Sequence, residues 1–227
     1  MKGNLQNIYA NIESAAKSNG RSLSDITLVA VTKTIDEDRI KELISLGVKN
    51  LGENKVQELV AKQEALSEYD INWHFIGNLQ TNKVKYIVGK VSLIHSVNSI
   101  KLANEINKQA EKINIIQDIL LEINTSGENS KIGLLKEDAI SIVEQVANLP
   151  NINLKGLMTI APYVEDSQKN KIYFESLKEI LVDINSVRND NINMSFLSMG
   201  MTNDYEVAIE AGANIVRIGT GIFTCTR

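Results

Sequence analysis

Cysteine is almost missing from this chain: Cys225, near the end, is the only one among 227 residues. A lone thiol excludes an internal disulfide and a cysteine-rich metal centre, and it suits a reducing cytoplasm. Proline is nearly as scarce, with Pro150 and Pro162 alone. No stretch rich in Pro, Gly or Ser marks a linker, so one domain over residues 1–227 is expected. No apolar run approaches the roughly 20 residues of a membrane span. The first 20 residues lack the apolar core of a secretory signal. An excess of positive charge is lacking as well. Lys and Arg number 24 against 28 Asp and Glu, net −4, and they are scattered along the chain. Neither nucleic acid nor a membrane is therefore expected as a partner, and an acidic small molecule would have to be held by local charge.

What the chain has in quantity is apolar periodicity, with 43% hydrophobic residues. Leu5, Ile8, Ile12, Ala15 and Ala16 fall near helical spacing and predict an amphipathic helix at the amino terminus. Eight apolar runs then read as strands: "LVAV" 28–31, "KNLGE" 49–53, "WHFIG" 73–77, "LIHSV" 93–97, "DILLEIN" 118–124, "LKGLMTI" 154–160, "MSFLSM" 194–199 and "NIVRIG" 214–219. Helical patterns separate most of them, at 36–47, 55–69, 99–112, 136–148, 167–187 and 203–211, with a short one near 82–88. Strands alternating with helices pair in parallel, and eight such units close into a (β/α)8 TIM barrel. An open doubly wound sheet is the competing arrangement. The extra first helix would cover the barrel's bottom or replace a missing last helix.

In such a barrel the site lies where strands give way to loops at their carboxyl ends. Lys33 follows the first strand after Thr32 alone. In a half-desolvated mouth it would lose part of its preference for the ammonium form and become a nucleophile towards an aldehyde or ketone. By position alone a lysine snorkelling to water is the simpler reading. After strand seven come Ser198 and Gly200, with Asn203 or Asp204 placed to cap a helix; after strand eight come Gly219, Thr220 and Gly221. These are the loops where many barrels hold a phosphate, and glycines let backbone N–H groups approach an anion. Arg217 lies inside an apolar strand and needs a partner, either a structural carboxylate such as Glu122 or a ligand acceptor. An amine, a phosphate cradle and an arginine between them fit a phosphorylated aromatic aldehyde such as pyridoxal 5′-phosphate (PLP).

The motifs "LVAVTKT", "GVKNLGENKVQEL", "WHFIGNLQTNK", "IHSV", "GLMTIAPY", "FLSMGMTND" and "VRIGTGIF" stand in family order and spacing. Through them the sequence resembles the pyridoxal phosphate homeostasis protein family, which shares the barrel of the alanine racemase amino-terminal domain. The resemblance implies that Lys33 forms a Schiff base with PLP, that Ser198, Gly200, Gly219 and Thr220 form the phosphate loops, and that Arg217 faces the pyridine nitrogen. A guanidinium there disfavours protonation of that nitrogen and weakens the ring as an electron sink. Asn54 and His74 fall at mouth-facing family positions. For His74 a hydrogen-bonded structural histidine is at least an equal reading, and for His95 it is the preferred one. The end "IFTCTR" lacks the glycine that usually follows the phenylalanine.

The resemblance implies a non-enzymatic carrier in cytoplasmic vitamin B6 homeostasis, a monomer, with apo PLP-dependent enzymes as candidate recipients. A racemase is the alternative. It needs a base on each face of the substrate, and the tyrosine that supplies one in alanine racemases comes from a carboxyl-terminal domain not expected here. Tyr163 is the one tyrosine near the mouth. A Schiff-base aldolase for sugar phosphates would reuse Lys33 and the cradle but leaves Arg217 without a task. Lys131, in the polar loop 126–133, is a further anion contact to weigh.

Overall fold

The structure, a computed structural model, describes residues 1–128, 131–186 and 194–224. Cys225, Val187 at the end of an expected helix, and residues 129–130 of the polar loop lie outside the described residues. Eight parallel strands close into a barrel in sequence order: β1 (Thr27–Val31), β2 (Asn50–Glu53), β3 (Asn72–Phe75), β4 (Leu93–Val97), β5 (Gln117–Glu122), β6 (Ile152–Met158), β7 (Phe196–Ser198) and β8 (Ile215–Ile218). Pairing of β1 with β8, Ala30 opposite Ile218, completes the closure and excludes the open sheet.

The helices are α1 (Lys2–Ser18), α2 (Glu37–Ser45), α3 (Val56–Ala65), α4 (Ile100–Lys112), α5 (Ala139–Ala147), α6 (Lys171–Ser186), α7 (Tyr205–Glu210) and α8 (Thr220–Phe223). A 3-10 turn over Thr81–Tyr86 bridges β3 and β4, where only a short helix was predicted. Start signals are local. Asp36 caps α2 by accepting the Arg39 N–H at 3.0 Å, and Ser99 caps α4 by accepting from Leu102 at 3.3 Å.

Strand alternation sorts the core. Leu28, Ala30, Leu51, Phe75, Ile94, Ile119, Leu121, Leu157, Leu197, Val216 and Ile218 point outward into one large cluster with the helices. Val29, Leu93, Leu120, Met158 and Ile215 form a small apolar cluster of their own inside the barrel. The first helix does not cover the bottom. It lies beside α7 and the four-residue α8, where a longer last helix would otherwise stand. Leu5, Ile8, Ile12, Ala15 and Ala16 are its buried residues, as the spacing predicts. Asn11 Nδ2 donates to the Tyr205 hydroxyl at 3.1 Å and Arg21 donates to Ala213 O at 2.8 Å, tying the helix to α7 and its exit.

Candidate functional site

The carboxyl ends of the strands surround a mouth cavity of two adjoining lobes, each about 450 Å³. Both are lined by Val31, Lys33, Lys131, Ile160, Met201 and Arg217. One lobe adds Thr202, Gly219 and Thr220; the other adds Asn54 and Glu122.

Lys33 sits on the turn leaving β1 and is exposed, as a lysine reaching to water would be. The turn is strained: Thr34 is held at φ 62°, a left-handed conformation rare for a β-branched residue and costing roughly 1–3 kcal/mol. Two contacts over-determine it. The Thr34 N–H donates to Glu58 Oε2 at 3.2 Å. Beneath it, Lys62 Nζ donates to Thr32 O and to Glu53 Oε1, both at 2.7 Å, while the Thr32 hydroxyl donates to the same carboxylate at 2.6 Å. Glu53 is 0% and Lys62 8% exposed, so this ion pair is buried between β2 and α3.

Asn54, just past β2, is half-buried, and its Oδ1 is shielded from water with no hydrogen-bond donor. Gly77 permits this placement, because a Cβ there would lie 2.0 Å from Asn54 O. Gly219 approaches β1 less closely, where a Cβ would meet Val31 O at 3.3 Å. It leads into α8, whose Ile222 and Phe223 N–H groups donate to Gly219 O at 2.9 and 3.2 Å. Thr220 is exposed at the cavity, with its Oγ1 3.0 Å from Thr202 Oγ1.

Arg217 is buried, and its partners are Ser198 Oγ at 2.6 Å and Thr159 O at 2.9 Å. The expected carboxylate partner, Glu122, makes no ion pair with it within 4.0 Å. Burial lowers the Arg217 pKa to about 10, against which Glu122 and Asp204 favour the charge. Burial likewise pushes the Glu122 carboxyl up to about 7, against the pull of Arg217.

Three predicted site residues stand elsewhere. Ser198 turns its hydroxyl into the barrel, between His95 Nδ1 at 2.8 Å and Arg217, and not towards the loops. Gly200 is buried under α7 at φ 90°; a Cβ would meet Ala208 Cβ at 2.6 Å, so its role is to let the helix pack. His74 is not mouth-facing. It lies inside the barrel between Asn50 Oδ1 at 3.2 Å and His95 Nε2 at 3.0 Å, because position 74 alternates inward within β3. Asp204 occupies the position before α7 but spends its carboxylate on the Met201 N–H at 2.7 Å and Asn170 Nδ2 at 2.8 Å.

Sequence reasoning overlooked Thr202, whose Oγ1 also accepts the Gly221 N–H at 3.3 Å and so joins the loops after β7 and β8. Its position inside "GMTND" was the available signal.

A closed (β/α)8 barrel with an amine after β1, an arginine on β8 and a Gly-Thr turn beyond it defines a class of small-molecule-binding barrels. The family model described as alanine racemase, N-terminal domain, matches residues 3–227, and the chain belongs to this family, among the proteins named pyridoxal phosphate homeostasis protein. The protein of that name from Aquifex aeolicus (strain VF5) is 46% identical over 219 residues, 96% of this chain and 95% of its own. A solved structure of an unknown protein from Bifidobacterium adolescentis is 36% identical, with a TM-score of 0.91, covering 97% of this chain and 93% of that one. PipY of Synechococcus elongatus PCC7942, solved with PLP bound, is 28% identical with a TM-score of 0.83, covering 93% and 99% respectively.

Proposed function

We propose that this protein binds PLP at the barrel mouth and holds it, without turning over a substrate, as part of cofactor homeostasis. The names of its relatives and the PLP in PipY support the reading. The observation that carries it is the meeting of Lys33, Arg217, Gly219 and Thr220 on one cavity. The residues fit the group. Asn54 Oδ1 is a buried acceptor without a donor, and the exposed Thr220 hydroxyl stands at the cavity where it can donate to a phosphate. When bound, PLP supplies an aldehyde for covalent attachment and a pyridine ring that can take up electrons.

Lys33, which lines both lobes, would hold the group covalently through its amine. Its exposure leaves it reachable, and the clamp under Thr32 fixes where the turn begins. Gly219, Thr220 and Thr202 would hold the phosphate. Arg217 would lie beside the ring nitrogen, and with its pKa lowered only to about 10 it keeps its charge at neutral pH. A charged donor there keeps the proton off that nitrogen and opposes carbanion chemistry, which favours the carrier. Ser198 and Gly200 act indirectly, by placing Arg217 and the loop after β7. We place the carrier in the reducing cytoplasm, as a monomer that hands PLP to apo-enzymes.

Tyr163 lines the same cavity and keeps the racemase as a second reading. The test is borohydride reduction of the purified, PLP-loaded protein followed by peptide mass spectrometry. A pyridoxyl adduct on Lys33, absent in Lys33→Ala, is expected; an unchanged cofactor spectrum in that variant refutes the assignment. Exchange of the α-proton of L-alanine at an enzyme-like rate refutes the carrier.

A further inference from the structure

Inside the barrel a continuous line of hydrogen bonds runs from the start of β2 to Arg217. Asn50 Oδ1 is 3.2 Å from His74 Nε2, and His74 Nδ1 is 3.0 Å from His95 Nε2. His95 Nδ1 is 2.8 Å from Ser198 Oγ, which lies 2.6 Å from an Arg217 nitrogen. The two imidazoles meet edge to face at 65°, with centroids 5.2 Å apart. His95 and Ser198 are 0% exposed and His74 is 6% exposed, so the bonds between them lie in the interior.

The direction of each bond follows from the ends. An amide oxygen only accepts, so His74 donates from Nε2 to Asn50. A neutral His74 then accepts at Nδ1, and His95 donates to it from Nε2. His95 in turn accepts at Nδ1 from the Ser198 hydroxyl, whose oxygen accepts from Arg217, a group that only donates. The opposite polarity gives the Ser198 oxygen two donors and leaves its own proton with no acceptor in a dry site. Neutrality of both rings agrees with their surroundings. Burial lowers His74 to about 4, and burial, then His74 and Arg217, hold His95 well below its usual range. Among the described residues no carboxylate bonds to either ring, and the acidic groups of this region, Glu122 and Asp204, act on Arg217.

We propose that His95 and His74 are positioning residues: as neutral Nε2–H tautomers they and Ser198 form a one-directional chain that fixes the Arg217 guanidinium at the floor of the mouth. Its second anchor is Thr159 O at 2.9 Å. The effect of this on a ligand rests on the PLP reading above; the chain itself does not.

The protein has only two histidines, so 15N-histidine labelling of the apo-protein gives two imidazole systems to follow. Long-range 1H–15N spectra between about pH 5 and 8 are expected to show both rings as Nε2–H tautomers that do not titrate. Ser198→Ala is expected to move the His95 Nδ1 resonance to that of an unbonded nitrogen. Titration of either ring in this range, or an Nδ1–H tautomer of His95, overturns the proposal. In the loaded protein, Ser198→Ala and His95→Leu should weaken PLP binding roughly tenfold and shift its absorption maximum while adduct formation on Lys33 persists, by analogy with partners that orient metal ligands. Wild-type affinity and spectrum in both variants overturn the positioning role. Absence of any adduct on Lys33 in the wild type refutes the PLP reading alone, since the tautomers are measured without cofactor.

Discussion

Removing Lys62 should destabilise this barrel more than removing any surface lysine. Its Nζ is 2.7 Å from Glu53 Oε1 and 2.7 Å from Thr32 O, in a site where Glu53 is 0% exposed. Glu53 Oε2 has no hydrogen-bond partner, so Lys62 and Thr32 carry all the compensation for the carboxylate. Lys62→Ala leaves that carboxylate buried and uncompensated, which typically costs about 3–5 kcal/mol. With a urea slope of roughly 2–3 kcal/mol/M for a barrel of this size, the unfolding midpoint should fall by about 1–2 M. Lys49→Ala is the control. The Lys49 pair with Asp70 is short, 2.5 Å, but its side chains are 60% and 82% exposed. Solvent screening leaves such a pair with little effect on stability. The double variant Glu53→Gln/Lys62→Met removes both charges and should recover much of the loss, so the cycle separates pairing from packing. A Lys62→Ala shift no larger than that of Lys49→Ala refutes the claim that the turn carrying Lys33 rests on a buried ion pair.

Gly200→Ala should cost about 2–5 kcal/mol, from left-handed strain at φ 90° and the 2.9 Å approach to the Tyr205 backbone; a thermal midpoint within about 2 °C of wild type contradicts this. Glu122 sets a pH dependence. Its folded pKa is raised from 4.5 to about 7, so the fold prefers its protonated form. The stability it contributes is full below 4.5 and is lost as pH rises to about 7. Glu122→Gln should therefore gain stability relative to wild type across that window, and parallel pH–stability curves for the two would rule the shift out.

The order of strands and helices was legible because alternation and helical spacing are local properties. The runs around Val29, Leu120 and Val216 fixed strands, and Leu5, Ile8 and Ile12 fixed the first helix face. The four-residue α8 escaped because it is too short to show a period. Arg217 announced that it needed a partner, but which one depends on distances across the barrel. Ser198 and Thr159 O reach it, while Glu122 influences it only through space. The Glu53–Lys62 pair was invisible for a related reason. On "VQELVAKQEA" Lys62 looks like part of a solvated helix face, and only the packing of α3 on β2 buries it. Ser198 and His74 were placed at the mouth by motif alone, and the period of two turned both inward.

The division of labour in the strands explains how a barrel tolerates such an interior. Barrel interiors are usually filled by branched apolar side chains. Here the outward faces of the strands already bury Leu51, Phe75, Ile94, Leu121, Leu157 and Ile218 against the helices, and most of the apolar core lies in that shell. The inward faces keep one small apolar cluster around Val29, Leu120 and Met158. Above and beside it run Asn50, His74, His95, Ser198 and Arg217, each with its partner inside the barrel. A buried polar line of this kind adds little stability over an apolar filling of equal volume, so the fold does not require it. What it adds is definition: the bonds from Asn50 Oδ1 through both imidazoles and Ser198 to Arg217 run one way, and a single arrangement makes all of them. The guanidinium at its upper end is thus fixed in place before any ligand arrives, which lowers the cost of ordering it on binding.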